Sequence, residues 1–506
     1  MTYSWLTNRG LTYKSILFCA GMNLILVQYW TMKEYLLVLD SSEVTILLVA
    51  GAFFASCSLG FVLPFKRIQQ NFKWLFTLLC IAQLSFPLLF KEIASAICHY
   101  EIPHFTLILL GFGTLVMSPL YTILLPYFIE RQEIDTSIDH GNALPICYGI
   151  ELGGGLIGVC LILTLGRISF PALVALYFLN LSIIMAFIYE SRKILLAAIP
   201  ISLCYWFIYL PLDHMGSRDF YRYETPDYNL IASAQSIYNR IDVLQDDKGD
   251  KLLLMNGREY FNSTDLEAFN ECIAGIPSAL MPGSRLLIVG TGSLSSVYHA
   301  SRFAESVESV ELDPQVVKIS MDHFRKYSHI DEVKNWTLHI DDAKHFLGST
   351  QKKYDLIIID LVPPIYVQTA LLYTREFYEL AKQHLSPQGV LSIYTGLLFG
   401  TESYMDTVNT PECTIDAVFP EYLVLNSDAA DMAFIYASPD LPFKKQELVA
   451  HLKSTGTYGK DEVFEPADVR PTLHDMKVIS MDNLGIVLEW SPWDFDPLTS
   501  RLGDLP

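Results

Sequence analysis

Nine cysteines are scattered through 506 residues, seven of them before residue 213, and none stand as Cys-x-x-Cys or at another metal-ligand spacing. Neither a disulfide framework nor a zinc site is indicated. Basic charge is also scarce: 35 Lys and Arg face 55 Asp and Glu, for a formal net charge of −20. An excess of this sign disfavours nucleic acid as a partner, because phosphate binding needs the opposite one. It is compatible with cationic substrates, although an acidic surface is more often a solubility device. Internal repeats and low-complexity tracts are missing. Charge of either sign is sparse in the first 212 residues, which hold 11 acids and 11 bases, so the remaining 44 acids and 24 bases account for the whole net charge.

What fills that charge-poor stretch is apolar. The chain is 51% hydrophobic, with a mean hydropathy of +0.30. Seven apolar segments read at roughly 15–30, 44–64, 73–90, 103–128, 144–166, 169–190 and 194–211, and several reach the ~20 residues that span hydrocarbon. The first lacks a small-residue cleavage site and is followed by further spans, so a removable signal peptide is not expected. Lys66, Arg67 and Lys73 make 65–73 the most basic loop, which places it, with Arg9 and Lys14, on the cytoplasmic side. Seven crossings would then put the C-terminal half outside, away from cytosolic nucleosides. Six or eight are therefore expected, with one segment interfacial or the fourth broken at Pro119 or Pro126. Glu151, beside Gly153-Gly154-Gly155, is an acid inside a span. It reads as a pocket for an amine or lipid head group, as a helix-packing hydrogen bond, or as a position near the interface.

Beyond residue 212 the pattern changes. A polar linker is expected from Asp213. Alternating segments between Ser236 and Phe261, around Asp246-Asp247-Lys248-Gly249-Asp250 and Asn256-Gly257, predict a small antiparallel β-unit. A helix is expected over 264–280. Leu286-Leu287-Ile288-Val289 then breaks into Gly290-Thr291-Gly292-Ser293, and Val307 to Val310 ends in Glu311, 21 positions after Gly290. This is the βαβ pattern in which glycines let the backbone approach a nucleoside and an acid on the next strand accepts the ribose hydroxyls. Ser295 stands where the usual fingerprint has its third glycine. Strands at 336–340, 354–360 and 390–394 alternate with helices at 314–327, from 342, and at 374–385, with a turn at Ser386-Pro387-Gln388-Gly389. Strands near 421–426 and 432–437 complete an antiparallel edge. The fold class expected is a multi-span helical membrane domain (1–212), a linker with β-unit and helix (213–280), a Rossmann-like, doubly wound, mostly parallel domain (281–440), and a tail of unassigned role (441–506).

Open parallel sheets bind ligands at the carboxyl ends of their strands. Four such ends carry Gly290/Gly292, Glu311, Asp341-Asp342 and Asp360. Acids that follow strands are also common helix N-caps, and Asp342 before Ala343-Lys344 fits that role. Four together in one domain favour a site.

With these residues in view, 236–440 resembles the aminopropyltransferase (spermidine synthase) family in a membrane-attached form. The resemblance is carried by Ser236-Ile237-Tyr238-Asn239, Asn256-Gly257, Asp265, Glu271, Val310-Glu311-Leu312-Asp313-Pro314, Asp341-Asp342-Ala343, Tyr354 to Asp360, Leu372 to Tyr378, and Pro387-Gln388-Gly389-Val390. It implies that Gly290, Gly292, Ser293, Glu311, Asp341 and Asp342 hold the nucleoside, with Glu311 on the ribose and Asp342 on the adenine amino group. Asp360 is implied as the acid that assists deprotonation of the attacking amine. Asn239, Phe269, Asn270, Glu271, Pro363 and Tyr373 are implied around the acceptor. The co-substrate implied is decarboxylated S-adenosylmethionine, with no metal.

Three departures bear on function. Ser293 stands where the family has an acid for the aminopropyl ammonium. Asp360-Leu361-Val362-Pro363-Pro364 puts Pro363 at the second acid of Asp-x-x-Asp-Pro. Phe269-Asn270-Glu271 replaces a triplet that begins with tyrosine. Two buried ammonium groups would thus lack counter-charges, at several kcal/mol for an unpaired buried ion. Three readings follow: an aminopropyltransferase-like enzyme with an altered amine or lipid-borne acceptor; a transferase using intact S-adenosylmethionine as methyl or aminocarboxypropyl donor; and a non-catalytic nucleoside-binding membrane sensor. The expected location is the inner or plasma membrane with the second half cytoplasmic, and a homo-oligomer is compatible.

Overall fold

The computed structural model describes residues 9–39, 43–62, 65–100, 108–109, 111, 119–124, 140–455 and 460–489. The chain divides into two compact units whose boundary falls between Arg240 and Ile241.

The first unit is helical, with α1 (Arg9–Leu39), α2 (Glu43–Val62), α3 (Phe65–His99), α4 (His140–Ile168), α5 (Phe170–Ile188) and α6 (Arg192–Glu224), followed by strand β1 (Tyr228–Gln235). Four described helices are long and apolar enough to cross a membrane, or five if the pair Asn71–Phe86 and Leu88–Ile97, bent by 72°, counts as one span. Most of the fourth apolar segment lies outside the described residues, so the expected six or eight crossings are neither reached nor refuted. Glycine sets how α1 and α4 pack. A Cβ on Gly21 would strike the Glu151 carbonyl, and one on Gly154 the Phe18 carbonyl. Small residues here let two backbones touch, the device expected beside Glu151. Glu151 itself is buried.

The linker expected from Asp213 is instead helix. Asp213 sits within α6 because its charge is neutralised: it pairs with Lys91, and Arg240 Nη1 donates to its other oxygen at 2.6 Å. Lys91 also meets Glu34 at 3.1 Å. Glu34 in turn accepts from Trp30 Nε1 (3.1 Å) and the Tyr209 hydroxyl (3.2 Å). All four ionic side chains are buried. Ion pairs in such surroundings persist only when every member is partnered, and these are.

The second unit begins with β2 (Arg240–Asp246), β3 (Lys251–Met255) and β4 (Arg258–Asn262). β2 and β3 pair antiparallel, as do β3 and β4 across the Asn256-Gly257 turn, where both residues have positive φ (52° and 80°), the type I′ geometry that Asn-Gly favours. The helix expected over 264–280 is α7 (Leu266–Asn270) and α8 (Ile276–Leu280) joined by a π-helical turn, Glu271–Gly275.

The main sheet has β5 (Arg285–Val289), β6 (Ser306–Glu311), β7 (Trp336–Ile340), β8 (Tyr354–Ile359), β9 (Leu385–Tyr394), β10 (Glu421–Ser427), β11 (Met432–Ser438) and β12 (Glu462–Phe464), in spatial order β12-β10-β11-β9-β8-β5-β6-β7. β7-β6-β5-β8-β9 are parallel and the remaining pairs antiparallel. Leu286, Leu287, Ile288, Leu356, Ile357, Ile358 and Ile359 are at most 1% exposed. These continuous apolar runs are what strands covered on both faces require, and each such side chain contributes roughly 1.5–3 kcal/mol on burial. α9 (Ser295–Ser301), α10 (Pro314–His323), α11 (Ala343–Ser349), α12 (Arg375–His384) and α13 (Pro411–Val418) are the connections between sheet strands.

Two expectations are corrected. Ser386-Pro387-Gln388-Gly389 is no turn before β9 but lies inside it. Tyr354 pairs with Leu385 and Leu356 with Val390, so extra residues bulge from the strand and place the proline where no ladder bond is needed. The tail beyond residue 440 also joins the fold. β12 extends the sheet, while Leu473, Ile479, Ile486 and Val487 enter the core beside Phe377 and Tyr378.

Candidate functional site

The sheet reverses direction at β5, whose successors run to β6 and β7 on one side and to β8 and β9 on the other. Ligands of open parallel sheets sit above such a switch point. Val289, Val310 and Ile359 form the last paired row, so Gly290, Glu311 and Asp360 leave the sheet at one level, spread over roughly 10 Å at the usual strand spacing. Ladder bonds hold them there: Gly290 N–H donates to Val310 O (2.9 Å) and Asp360 N–H to Val289 O (2.8 Å). Gly290 has φ +83°, and a Cβ would run into the Asp360 carbonyl. At Gly292 a Cβ would run into the Tyr260 ring. The third special position of the turn is Leu294, wholly buried at φ +65°, while Ser295 begins α9. An apolar side chain in the left-handed region costs about 1–2 kcal/mol, so this turn is held by its surroundings. Ser293 is buried and its hydroxyl accepts from Ser295 N–H (3.2 Å).

Glu311 is braced from below. Oε2 accepts from Thr291 N–H (3.1 Å) and Oε1 from Asp313 N–H (2.9 Å). Burial pushes its carboxyl up and those amides restrain the shift. Each oxygen keeps a second lone pair for a donor such as a ribose hydroxyl. Asp360 is buried and accepts from the Ser296 hydroxyl at 2.5 Å. Burial pushes it up to about 6, with Ser296 opposing and the Glu311 charge adding. Among the described residues neither carboxylate forms an ion pair. Three tyrosines close around them. Burial first, then the nearby Asp360 charge, drives the Tyr373 hydroxyl upward; for Tyr394 burial is followed by Tyr373, Tyr260 and only then Asp360, and for Tyr260 the Glu311 charge comes between burial and Asp360. Tyr373 donates to Leu361 O (3.2 Å).

The remaining sequence candidates divide. Phe269 stacks edge-on against Tyr394 at 4.8 Å and so borders the site. Pro363 lies in the loop after Asp360, where its carbonyl accepts from Ile365 N–H (2.7 Å) and the Thr369 hydroxyl (3.2 Å). Asp342 is exposed and caps α11 through His345 N–H (3.0 Å), which leaves Oδ2 for a ligand. Asp341 is turned away onto its own helix: both oxygens meet His345 Nδ1 (2.8–2.9 Å), a contact that holds its carboxyl below the usual range. Glu271 is likewise engaged elsewhere, by His299 Nδ1 (2.8 Å) and by Arg302. Burial would raise its carboxyl, but these partners outweigh burial and lower it. Asn270 is buried and donates to Leu266 O (2.7 Å). Asn239 belongs to the first unit, where it closes a turn with Ser236.

Sequence reasoning missed Tyr260, Ser296 and Tyr394. Ser296 was open to discovery, since the first turn after a glycine loop faces the ligand edge. Tyr394 ends a strand next to the one that ends at Asp360, which only the sheet order reveals. Tyr260 comes from the separate β-unit, and no local pattern marks it.

Residues 266–427 match the family model described as "Spermine/spermidine synthase domain". The polyamine aminopropyltransferase of Oceanobacillus iheyensis is 27% identical over 322 residues, which cover 60% of this chain and 61% of that protein. That of Lachnospira eligens is 28% identical over 201 residues, 39% of this chain and 68% of the other. The chain therefore spans about three-fifths to two-thirds of the length of these curated relatives. The crystal structure of spermidine synthase from Thermotoga maritima is 21% identical, with a TM-score of 0.37, covering 51% of this chain and 83% of that one.

Proposed function

Starting from the spermine/spermidine synthase domain carried by residues 266–427, we propose that the chain is a membrane-attached aminopropyltransferase that uses decarboxylated S-adenosylmethionine and an amine acceptor outside the usual pattern. The observation that carries this reading is the pair Glu311 and Asp360, buried at the switch point without a cationic side chain among the described residues. Such a pair suits a ligand that brings its own positive charge. The decarboxylated donor is a dication, whereas the intact compound carries a carboxylate that Glu311 and Asp360 would repel.

In this reading Glu311 accepts the ribose hydroxyls, and Asp342 Oδ2 the adenine amino group. The acceptor's neutral nitrogen attacks the methylene carbon beside the sulfonium. A C–N bond forms, the C–S bond breaks, and its electrons neutralise the sulfur as methylthioadenosine leaves. The proton shed by the nitrogen passes to Asp360, whose raised affinity for it suits a base near neutral pH. The turn at Gly290 and Gly292 supplies close approach, and the Tyr260 ring excludes water. The helices of the first unit would anchor the chain, with the α/β unit on the cytoplasmic side.

Ser293 in place of an acid favours a second reading, in which intact S-adenosylmethionine is the donor. Product analysis decides between them. Incubation with the decarboxylated donor and a diamine panel should give methylthioadenosine and an aminopropylated amine in equal amounts. Methylated or aminocarboxypropylated product from the intact compound alone would overturn the first reading.

A further inference from the structure

Buried polar groups in folded proteins are hydrogen-bonded, and a cluster of exceptions asks for a cause. One such cluster lies next to the site. Glu412, in the first turn of α13, is fully buried, and among the described residues neither of its carboxylate oxygens has a hydrogen-bond partner. The hydroxyls of Tyr378 on α12 and Tyr404, both buried within a shared core, are unpartnered as well. The Glu412 carboxylate is near both hydroxyls, since its charge acts on each tyrosine. Thr395 is close too, but its hydroxyl donates to Leu397 O at 2.8 Å. Among the described residues Glu412 forms no ion pair. The result is a buried carboxylate with only acceptor capacity, two unpartnered hydroxyls near it, and nothing positive among the described residues to meet it.

Its place in the fold relates it to the reacting end. Ile358 of β8 pairs with Ser392 of β9, so Asp360 is level with Tyr394, and Thr395 is the next residue out of the sheet. Adjacent strands are about 4.8 Å apart, so the end of β9 that leads to Thr395 runs beside Asp360. Tyr373 shares a core with Tyr378 and Tyr404, and its hydroxyl feels the Asp360 charge.

We propose that Glu412, with the Tyr378 and Tyr404 hydroxyls, binds the far ammonium of a diamine acceptor whose near nitrogen reacts beside Asp360. This rests on the aminopropyltransferase reading and deepens it. Pro363 removes one counter-charge from the acceptor side, and Glu412 supplies another at a different point. A primary ammonium has three donors, which matches one carboxylate and two hydroxyl oxygens. Burial pushes the Glu412 carboxyl up to about 7 in the ligand-free chain, and an arriving ammonium would draw it into the ionised form.

The test is titration calorimetry on the full chain in detergent, with 1,4-diaminobutane, 1,8-diaminooctane and the monoamines butylamine and octylamine. Each amine is titrated with and without saturating methylthioadenosine. The wild type should bind at least one diamine about tenfold or more tightly than its monoamine, the worth of one charge-assisted contact. Glu412→Gln should abolish that preference, and Tyr378→Phe should reduce it, with methylthioadenosine affinity unchanged in both. Glu412→Gln keeps the side chain's shape and should melt no lower than wild type, so a loss of preference cannot be laid to unfolding. A diamine preference that survives Glu412→Gln, or a wild type that binds methylthioadenosine yet treats diamines and monoamines alike, would overturn the proposal. Failure to bind methylthioadenosine would instead strike the nucleoside reading, while a Glu412-dependent diamine preference would still support this site.

Discussion

The two units treat buried charge in opposite ways. In the helical unit Glu34 and Asp213 are matched by Lys91 and Arg240, with Trp30 and Tyr209 donating to the carboxylate that remains. In the α/β unit Glu311, Asp360 and Glu412 are buried with no basic side chain against them among the described residues. A matched network is complete and reads as architecture. An unmatched set is stabilised by backbone amides and hydroxyls only, so it disfavours the ionised state until a cation arrives. On the proposed reading, the same residue types serve structure in one unit and ligand recognition in the other.

Removing one charge from each unit should break the symmetry most visibly. Asp360→Asn should lower the transfer rate by about a hundredfold to ten-thousandfold, the range for losing a general base, read as methylthioadenosine release. The same variant should be more stable than wild type at pH 8. The sign follows from the raised folded-state value: this group contributes stability fully below its unfolded value near 4, and that contribution is lost as pH rises through about 6. A gain of about 2 kcal/mol in thermal unfolding is expected. Lys91→Met should do the reverse and cost about 3–5 kcal/mol, because Glu34 and Asp213 lose their shared cation.

Smaller effects sharpen the contrast within the α/β unit. Glu311→Ala should weaken methylthioadenosine binding by about 1.5–3 kcal/mol in calorimetry, the loss of charge-assisted hydrogen bonds. The profile of kcat/KM against pH should rise with an acid limb near pH 6, where Asp360 loses its proton. In kcat the limb should lie lower, since a bound sulfonium favours the carboxylate. Asp341→Asn should change nucleoside affinity by less than about 0.5 kcal/mol, because both oxygens already face His345 and the helix start.

Most of the α/β architecture was legible because buried parallel strands leave continuous apolar runs and glycine turns leave their spacing. Gly290, Glu311 and Asp360 could be named from strand ends alone. Asp341 and Glu271 were named too, but side-chain direction is not written in spacing: Asp341 meets His345 on its own helix, and Glu271 meets His299 and Arg302, 28 and 31 positions away. The helical continuation through Asp213 was illegible because its two cations lie 122 and 27 positions away in the chain. The bulge at Ser386 to Gly389 used the residues of a turn without making one. Glu412 left no local signal, since an acid near a helix start is ordinarily a solvated one.

Whether the unmatched acids of the α/β unit recognise a cationic donor is decided by one calorimetric comparison. Decarboxylated S-adenosylmethionine, the intact compound and methylthioadenosine are titrated into the detergent-solubilised chain under the same conditions. The decarboxylated compound should bind most tightly, because its net positive charge lies in the field of Glu311 and Asp360 without an opposing carboxylate. Equal affinities for all three, or tighter binding of the intact compound, would contradict it.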